Sequence, residues 1–219
     1  NIIKNGPSER RRFIDMELCQ LDKVYVHSLV QYNKVLLQRN KLLKELVFHP
    51  EYEATLDVWD EQLVRFGKEV IKARRDFIHQ LGDIIKELHT KLSGGKENIE
   101  VIYDPDTEEN ELEAAVRKSR PQDMKQKTTL AGPHRDDISF VVNGIDIRRF
   151  GSQGQQRTAA LSLKLSELEL VKKISRDAPV LLLDDVLSEL DSSRQNQLLD
   201  AIQDIQTMIT CTGLEDFVN

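Results

Sequence analysis

Apolar residues between Asp22 and Leu46 recur at the spacing of one helix face: Tyr25, Leu29, Tyr32, Leu36, Leu43 and Leu46, until His49-Pro50 breaks the pattern. A longer periodic run follows from about Tyr52 to Leu92. It sets Trp59, Leu63, Phe66, Val70, Ala73, Phe77 and Ile84 on a three-four repeat, widened by Leu81 and Leu88. Two such helices around one Pro-marked turn predict antiparallel packing and a projecting arm. The aromatic residues share the stripe, so they read as core and not as a base-stacking platform. Ser93-Gly94-Gly95 closes the second helix. Ile99–Tyr103 alternates like a strand, Asp104-Pro105-Asp106 turns the chain, and Thr107–Lys127 is charged and helical, kinked or restarted at Pro121. Thr128–Leu130 reads as a short strand. Ile138–Val142 and Ile145–Ile147 flank Asn143-Gly144, the signal of a type I′ hairpin.

The rest of the chain is organised around residues 151–191. Gly151-Ser152-Gln153-Gly154-Gln155 opens an amphipathic helix carrying Leu161, Leu163, Leu165, Leu168 and Val171. Free backbone N–H groups and the positive end of the dipole make such a start an anion site, although Ser152 also serves as an ordinary N-cap. Pro179–Leu183 is apolar without alternation, the mark of a strand buried on both faces of a parallel sheet. It ends in Asp184-Asp185, at the strand end where ligands of such sheets bind. One carboxylate there suits a hydrated magnesium ion and the other an attacking water, or both simply cap a turn. Leu187-Ser188-Glu189-Leu190-Asp191 leads into a helix to about Asp204, then a strand over Thr207–Thr212.

Composition changes this picture little. The 219 residues are 39% hydrophobic and 31% charged with a net charge of −6, which argues against wholesale coating of nucleic acid. Cys19 and Cys211 have no metal or redox spacing, which fits a reducing, cytoplasmic setting. No apolar stretch approaches the roughly 18 residues of a membrane span. His134 beside Asp136 and Asp137 is poor evidence for a metal. His134-Arg135-Asp136 echoes a kinase catalytic loop, but the position that loop needs as Asn is Val141.

The order of helix-opening turn, acid-tipped strand and Ser-x-Leu-Asp turn resembles the second half of an ABC-type ATPase head: signature motif, Walker B and D-loop. Ser152-Gln153-Gly154-Gln155 is similar to the Ser-Gly-Gly-Gln signature, with Gln153 in place of the first Gly. Gly132-Pro133-His134-Arg135-Asp136-Asp137, the run Pro7–Asp15, and Gln38-Arg39-Asn40 extend the likeness to the RecF family, bacterial recombination-repair ATPases related to SMC proteins. No Gly-x-x-x-x-Gly-Lys-Ser/Thr occurs, so the chain is expected to be a fragment lacking the N-terminal phosphate-loop lobe and the C-terminal end, and to hydrolyse nothing alone.

The resemblance implies an α/β fold, the C-terminal part of an ABC-type head (a P-loop NTPase fold) with an inserted antiparallel helical arm. Residues 1–127 are the expected arm domain and 128–219 the head. It implies ATP and Mg as cofactors. Asp184 holds the metal, Asp185 positions water, Ser152, Gln153, Gly154 and Gln155 touch a partner copy's nucleotide, and Asp191 crosses the interface. It further implies an ATP-dependent homodimer clamping single-stranded, gapped or junction DNA, with RecO and RecR as partners in loading recombinase. Thr212 stands where such heads carry a switch His, consistent with slow hydrolysis. The cluster Lys4, Arg10, Arg11 and Arg12 reads as a solvated first helical turn capped by Ser8, or as a DNA-phosphate contact. Arg135 is a further candidate for nucleotide or DNA contact. A non-catalytic coiled-coil interaction module remains the alternative; a transporter subunit is disfavoured because the arm precedes the signature.

Overall fold

A computed structural model describes residues 2–175, 180–187, 192–203 and 205–210. Among these, the order is α1 (Pro7–Leu21), α2 (Lys23–Glu45), α3 (Leu56–Leu92), β1 (Ile99–Asp104), α4 (Leu112–Gln126), β2 (Asp137–Val142), β3 (Ile145–Asp146), α5 (Gln153–Ser175), β4 (Leu181–Asp184), α6 (Ser192–Ala201) and β5 (Thr207–Thr210). Asp22 ends α1 and caps α2, its carboxylate accepting from the Val24 N–H at 2.7 Å. Ser28 bonds Glu69, Tyr32 lies on Gly67, and Arg39 pairs with Asp60, a descending order that makes α2 and α3 antiparallel. The second helix starts later than its apolar pattern suggests: Pro50–Thr55 is a 3-10 turn, and α3 begins at Leu56. Its 37 residues extend about 55 Å at the usual rise.

The main core takes Ile14 from α1, Tyr32 from α2, Val70 from α3, Ile99 from β1, Val116 from α4, Phe140 from β2 and Leu163 from α5. It therefore draws on both sides of residue 127. The antiparallel sheet β1-β2-β3 pairs Ile99 with Val142 and Asp104 with Asp137. Asn143 (φ 50°) and Gly144 (φ 78°) form the left-handed pair that a type I′ turn requires.

Three expectations are corrected. Thr128–Leu130 is no strand: the N–H and hydroxyl of Thr129 both donate to Asn40 Oδ1 at 2.7 Å, and the Leu130 N–H goes to Asp123 Oδ1, so side chains satisfy what a ladder would. Helix α4 is not restarted at Pro121, which lies inside it, and it ends at left-handed Lys127. Among the described residues strand β4 is covered on one face only. Leu181 and Leu183 join a second core with Leu161, Leu165 and Leu198, while Leu182 is 69% exposed on the same side as Val180 and Met208. Its described neighbour is β5 alone, parallel in the register Leu181↔Thr207 to Asp184↔Thr210.

Helix α5 lies between the two cores. Ala159, Leu163 and Leu170 face the first; Leu161, Leu165 and Leu168 face the second. Apolar positions all round mark an enclosed helix.

A buried charge ties these layers together. Arg74 of α3 donates to both oxygens of Asp15 at 2.9 and 3.1 Å, to Asp136 Oδ2 at 2.9 Å and to the Pro133 carbonyl at 2.6 Å. Burial alone would lower its pKa; Tyr25, Asp15 and Asp136 hold it above the usual range. Asp136 is pushed up by burial against the pull of Arg74 and Tyr103. Removing one partner of a buried ion pair strands the other. Arg74→Met is therefore expected to cost about 3–5 kcal/mol in urea unfolding. Adding Asp136→Asn should recover part of that loss, and full additivity of the two changes would contradict the pairing.

Candidate functional site

The start of α5 is a reciprocal capping box. Gln155 N–H donates to Ser152 Oγ at 3.1 Å, and Ser152 N–H donates to Gln155 Oε1 at 3.0 Å. The turn before it is rigid: a Cβ on Gly151 would sit 2.6 Å from the Ile147 carbonyl, which also accepts from buried Gln156 at 2.7 Å. With Ser152 accepting, its own proton remains to be donated, and the N–H groups of Gln153 and Gly154 lie in the first turn, where no intrahelical acceptor exists. Arg194 of α6 covers this turn, its Nη1 3.1 Å from where a Cβ on Gly154 would stand. A helix start and a guanidinium both favour an anion.

The second group stands at the ends of the parallel strands. Asp185 has left-handed backbone (φ 53°), and its N–H donates to the Thr210 carbonyl at 3.0 Å and to Thr210 Oγ1 at 3.1 Å. The same hydroxyl donates to Asp184 Oδ1. Thus the structure brings Asp184 and Asp185 together through Thr210, and Ser152, Gly154 and Gln155 together with Arg194. Among the described residues no hydrogen bond connects Ser152, Gln153 or Gln155 to Asp184 or Thr210. Asp191 and Thr212 lie outside the described residues. Thr210 and Arg194 escaped the sequence reading. Thr210 is visible only once β5 is registered against β4; the position of Arg194, just after the Ser-x-Leu-Asp turn, was the available hint.

The Gly132–Asp137 motif turns out to be an internal joint. His134 Nε2 faces the Thr129 carbonyl at 3.1 Å, so it carries the proton, and the Tyr32 hydroxyl donates to Nδ1 at 2.7 Å. Burial holds this histidine below its ordinary pKa, and both ring nitrogens are used. Asp136 accepts from Arg74, Tyr103 and the Asp106 N–H; Asp137 accepts Arg10 bidentately at 2.6 Å. Arg10 is 1% exposed, which removes it from any DNA face and from a solvated turn alike, and the N-cap of α1 is Gly6, not Ser8. Arg11 donates to the Asp136 carbonyl, whereas Arg12 is exposed. Half-exposed Arg135 reaches Asp106 at 3.6 Å.

A Ser-His-Glu row also occurs: Ser162 Oγ lies 2.9 Å from His89 Nδ1, and His89 Nε2 lies 3.2 Å from Glu97. Ser162 and His89 are wholly buried, so this row latches α5 to α3 and reaches no substrate. A cleft of about 680 Å³ between α3, α5 and α6 is lined by Asp83, Glu87, Lys91, Glu169, Lys173 and Asp200. It borders the far end of α5 from Ser152. Among the described residues no group of three or more His, Cys, Asp or Glu side chains converges to hold a metal; a single carboxylate with an open oxygen fits magnesium, which keeps most of its waters. No described helix is long and apolar enough to cross a membrane.

The fold is that of the C-terminal part of an ABC-type ATPase head. The Smc head domain of Pyrococcus furiosus shares this fold, with a TM-score of 0.52 and 17% identity over 96% of this chain and 52% of that one. Within the class, the chain is similar along its whole length to the RecF proteins. It is 62% identical over 221 residues to the DNA replication and repair protein RecF of Lachnospira eligens, covering 100% of this chain and 61% of that protein. The RecF of Lachnoclostridium phytofermentans is 61% identical, again over 100% of this chain and 61% of its own length. A solved structure of the recombination mediator protein RecF with ATP, from the RecFOR pathway, matches with a TM-score of 0.87 and 39% identity, over 98% of this chain and 60% of that one. No family model matches. The chain thus spans about three-fifths of the length of the curated relatives it matches.

One titrating group bears on how α5 is held. Glu167 is buried against α1 with Oε1 unpartnered, while Oε2 takes Lys164 at 2.8 Å. Burial pushes it up to about 7; Lys164 opposes this and Glu17 of α1 adds to it. A carboxyl raised in the folded state destabilises that state as pH climbs from its unfolded value through the folded one. Between about pH 4.5 and 7 the chain should lose roughly 2–3 kcal/mol from this group. Glu167→Gln should remove that slope and be the more stable form above pH 7. Equal slopes for both proteins in urea titrations across pH would refute the assignment.

Proposed function

We propose that this chain supplies the signature helix and Walker acids of a DNA replication and repair ATPase that binds ATP. The observation that carries the reading is the start of α5, a capped turn with free donors backed by Arg194, in a chain similar to RecF throughout. Ser152, Gln153, Gly154 and Gln155 then meet the terminal phosphate of nucleotide held by a second copy. The capping box keeps the turn in shape before any phosphate arrives, so little ordering remains to be done on binding.

At β4 the roles divide. Asp184 keeps one carboxylate oxygen engaged by Thr210 and offers the other to magnesium, which when bound neutralises charge across the phosphates. Asp185 orients the attacking water and accepts its proton. No hydrogen bond among the described residues joins Ser152 to Asp184, which supports a site completed by two copies, with Asp191 at their interface. ATP binding thereby closes a homodimer on gapped or junction DNA, and hydrolysis opens it. Recombinase loading with RecO and RecR, in the cytoplasm, follows from the same family reading.

Two experiments on full-length RecF-family protein carrying this sequence test it. Ser152→Arg should leave nucleotide binding by the monomer near normal while abolishing the ATP-dependent dimer in light scattering. An unchanged dimer fraction would remove α5 from the site. Asp184→Asn should weaken magnesium-dependent nucleotide binding itself. Asp185→Asn should keep binding, slow turnover by about two to four orders of magnitude, and accumulate the closed dimer. If both variants hydrolyse ATP like the parent, the non-catalytic interaction module is the better description.

A further inference from the structure

We infer that Thr210 is a positioning residue for the metal-binding carboxylate, an inference that rests on the proposed role of Asp184. One hydroxyl does two things there. As a donor it engages Asp184 Oδ1; as an acceptor it takes the Asp185 N–H at 3.1 Å, beside the bond from that N–H to the Thr210 carbonyl at 3.0 Å. Oδ1 being engaged, the carboxylate presents Oδ2, and among the described residues no second donor reaches Asp184. That leaves a single-oxygen ligand of the kind magnesium takes from proteins, with its remaining positions filled by water and phosphate.

The second bond concerns the adjacent acid. Asp185 adopts φ 53°, a left-handed conformation that costs a non-glycine residue energy and persists where neighbours hold it. Thr210 holds it from two atoms. The two acids thus differ in backbone beside one residue, Thr210: Asp184 is in extended backbone and Asp185 in left-handed backbone. Core packing does not explain a threonine here, since Thr210, Asp184 and Asp185 are all exposed. Strand propensity does not require the hydroxyl either, because valine serves a pleated edge equally well. Outer partners that orient a metal's ligands typically account for about 10–100-fold in metal affinity.

The test uses full-length protein and a fluorescent ATP analogue, titrated with magnesium in binding assays that need no turnover. Thr210→Val should raise the magnesium concentration for half-maximal binding by about tenfold or more, and Thr210→Ser should restore it to within about twofold. Should the Val variant fail to fold, Thr210→Ala removes the same hydroxyl without adding bulk and carries the comparison. Asp184→Asn serves as the reference, expected to lose the magnesium response altogether. If Asp184→Asn acts but Val, Ala and wild type share one half-saturation point, the inference about Thr210 is overturned while the Asp184 site stands. If Asp184→Asn itself leaves the response unchanged, the site reading fails and takes the inference with it. A Thr210→Val protein whose only change is a lower melting temperature without nucleotide or magnesium marks a merely structural hydroxyl, and also overturns it.

Discussion

A guanidinium taken out of water must find acceptors for its charge and its five N–H groups, and at Arg74 that demand recruits α1 through Asp15, α2 through Tyr25, and the Pro133–Asp136 turn. Every segment that meets there is fixed relative to α3. Arg39 repeats the device farther along the helix pair, binding Asp60 of α3, Asp123 of α4 and Thr129 beyond it. A buried hydrogen bond between Ser162 and His89 ties α5 to α3 near the other end. Buried ionic groups of this kind add less to stability than hydrophobic replacements would, but they admit few alternative registers. A 37-residue helix with a repeating apolar stripe has many registers to exclude.

What was legible in the sequence was what is local. The helical period of α2 and α3 and the Asn143-Gly144 hairpin follow from neighbours a few residues apart, and the structure has them in place. The errors of most consequence are long-range. Arg10 looked like a surface cation because its partner, Asp137, is 127 residues away. Thr128–Leu130 looked like a strand because nothing nearby announces that Asn40 and Asp123 satisfy its donors. The apolar run at β4 was read as doubly covered, whereas Leu182 is open among the described residues. At the candidate site, Ser152 and Gln155 were visible as a helix start, though not as mutual caps. Arg194 and Thr210 could not be placed, since each matters only through packing of α6 on α5 or pairing of β5 with β4.

The enclosure of α5 also has a mechanical side. Its two apolar faces are gripped by separate cores, Ser162 is latched to His89, and Glu167 is pressed against α1. Interiors packed to crystal-like density do not deform smoothly. Rotation of α5 about its own axis would tear both cores at once, and sliding would break the latch. A push on residues 152–155 is therefore not absorbed where it lands. It swings the helix as a stiff lever some 35 Å long, and the long helix pair clamped to it must turn through the same angle.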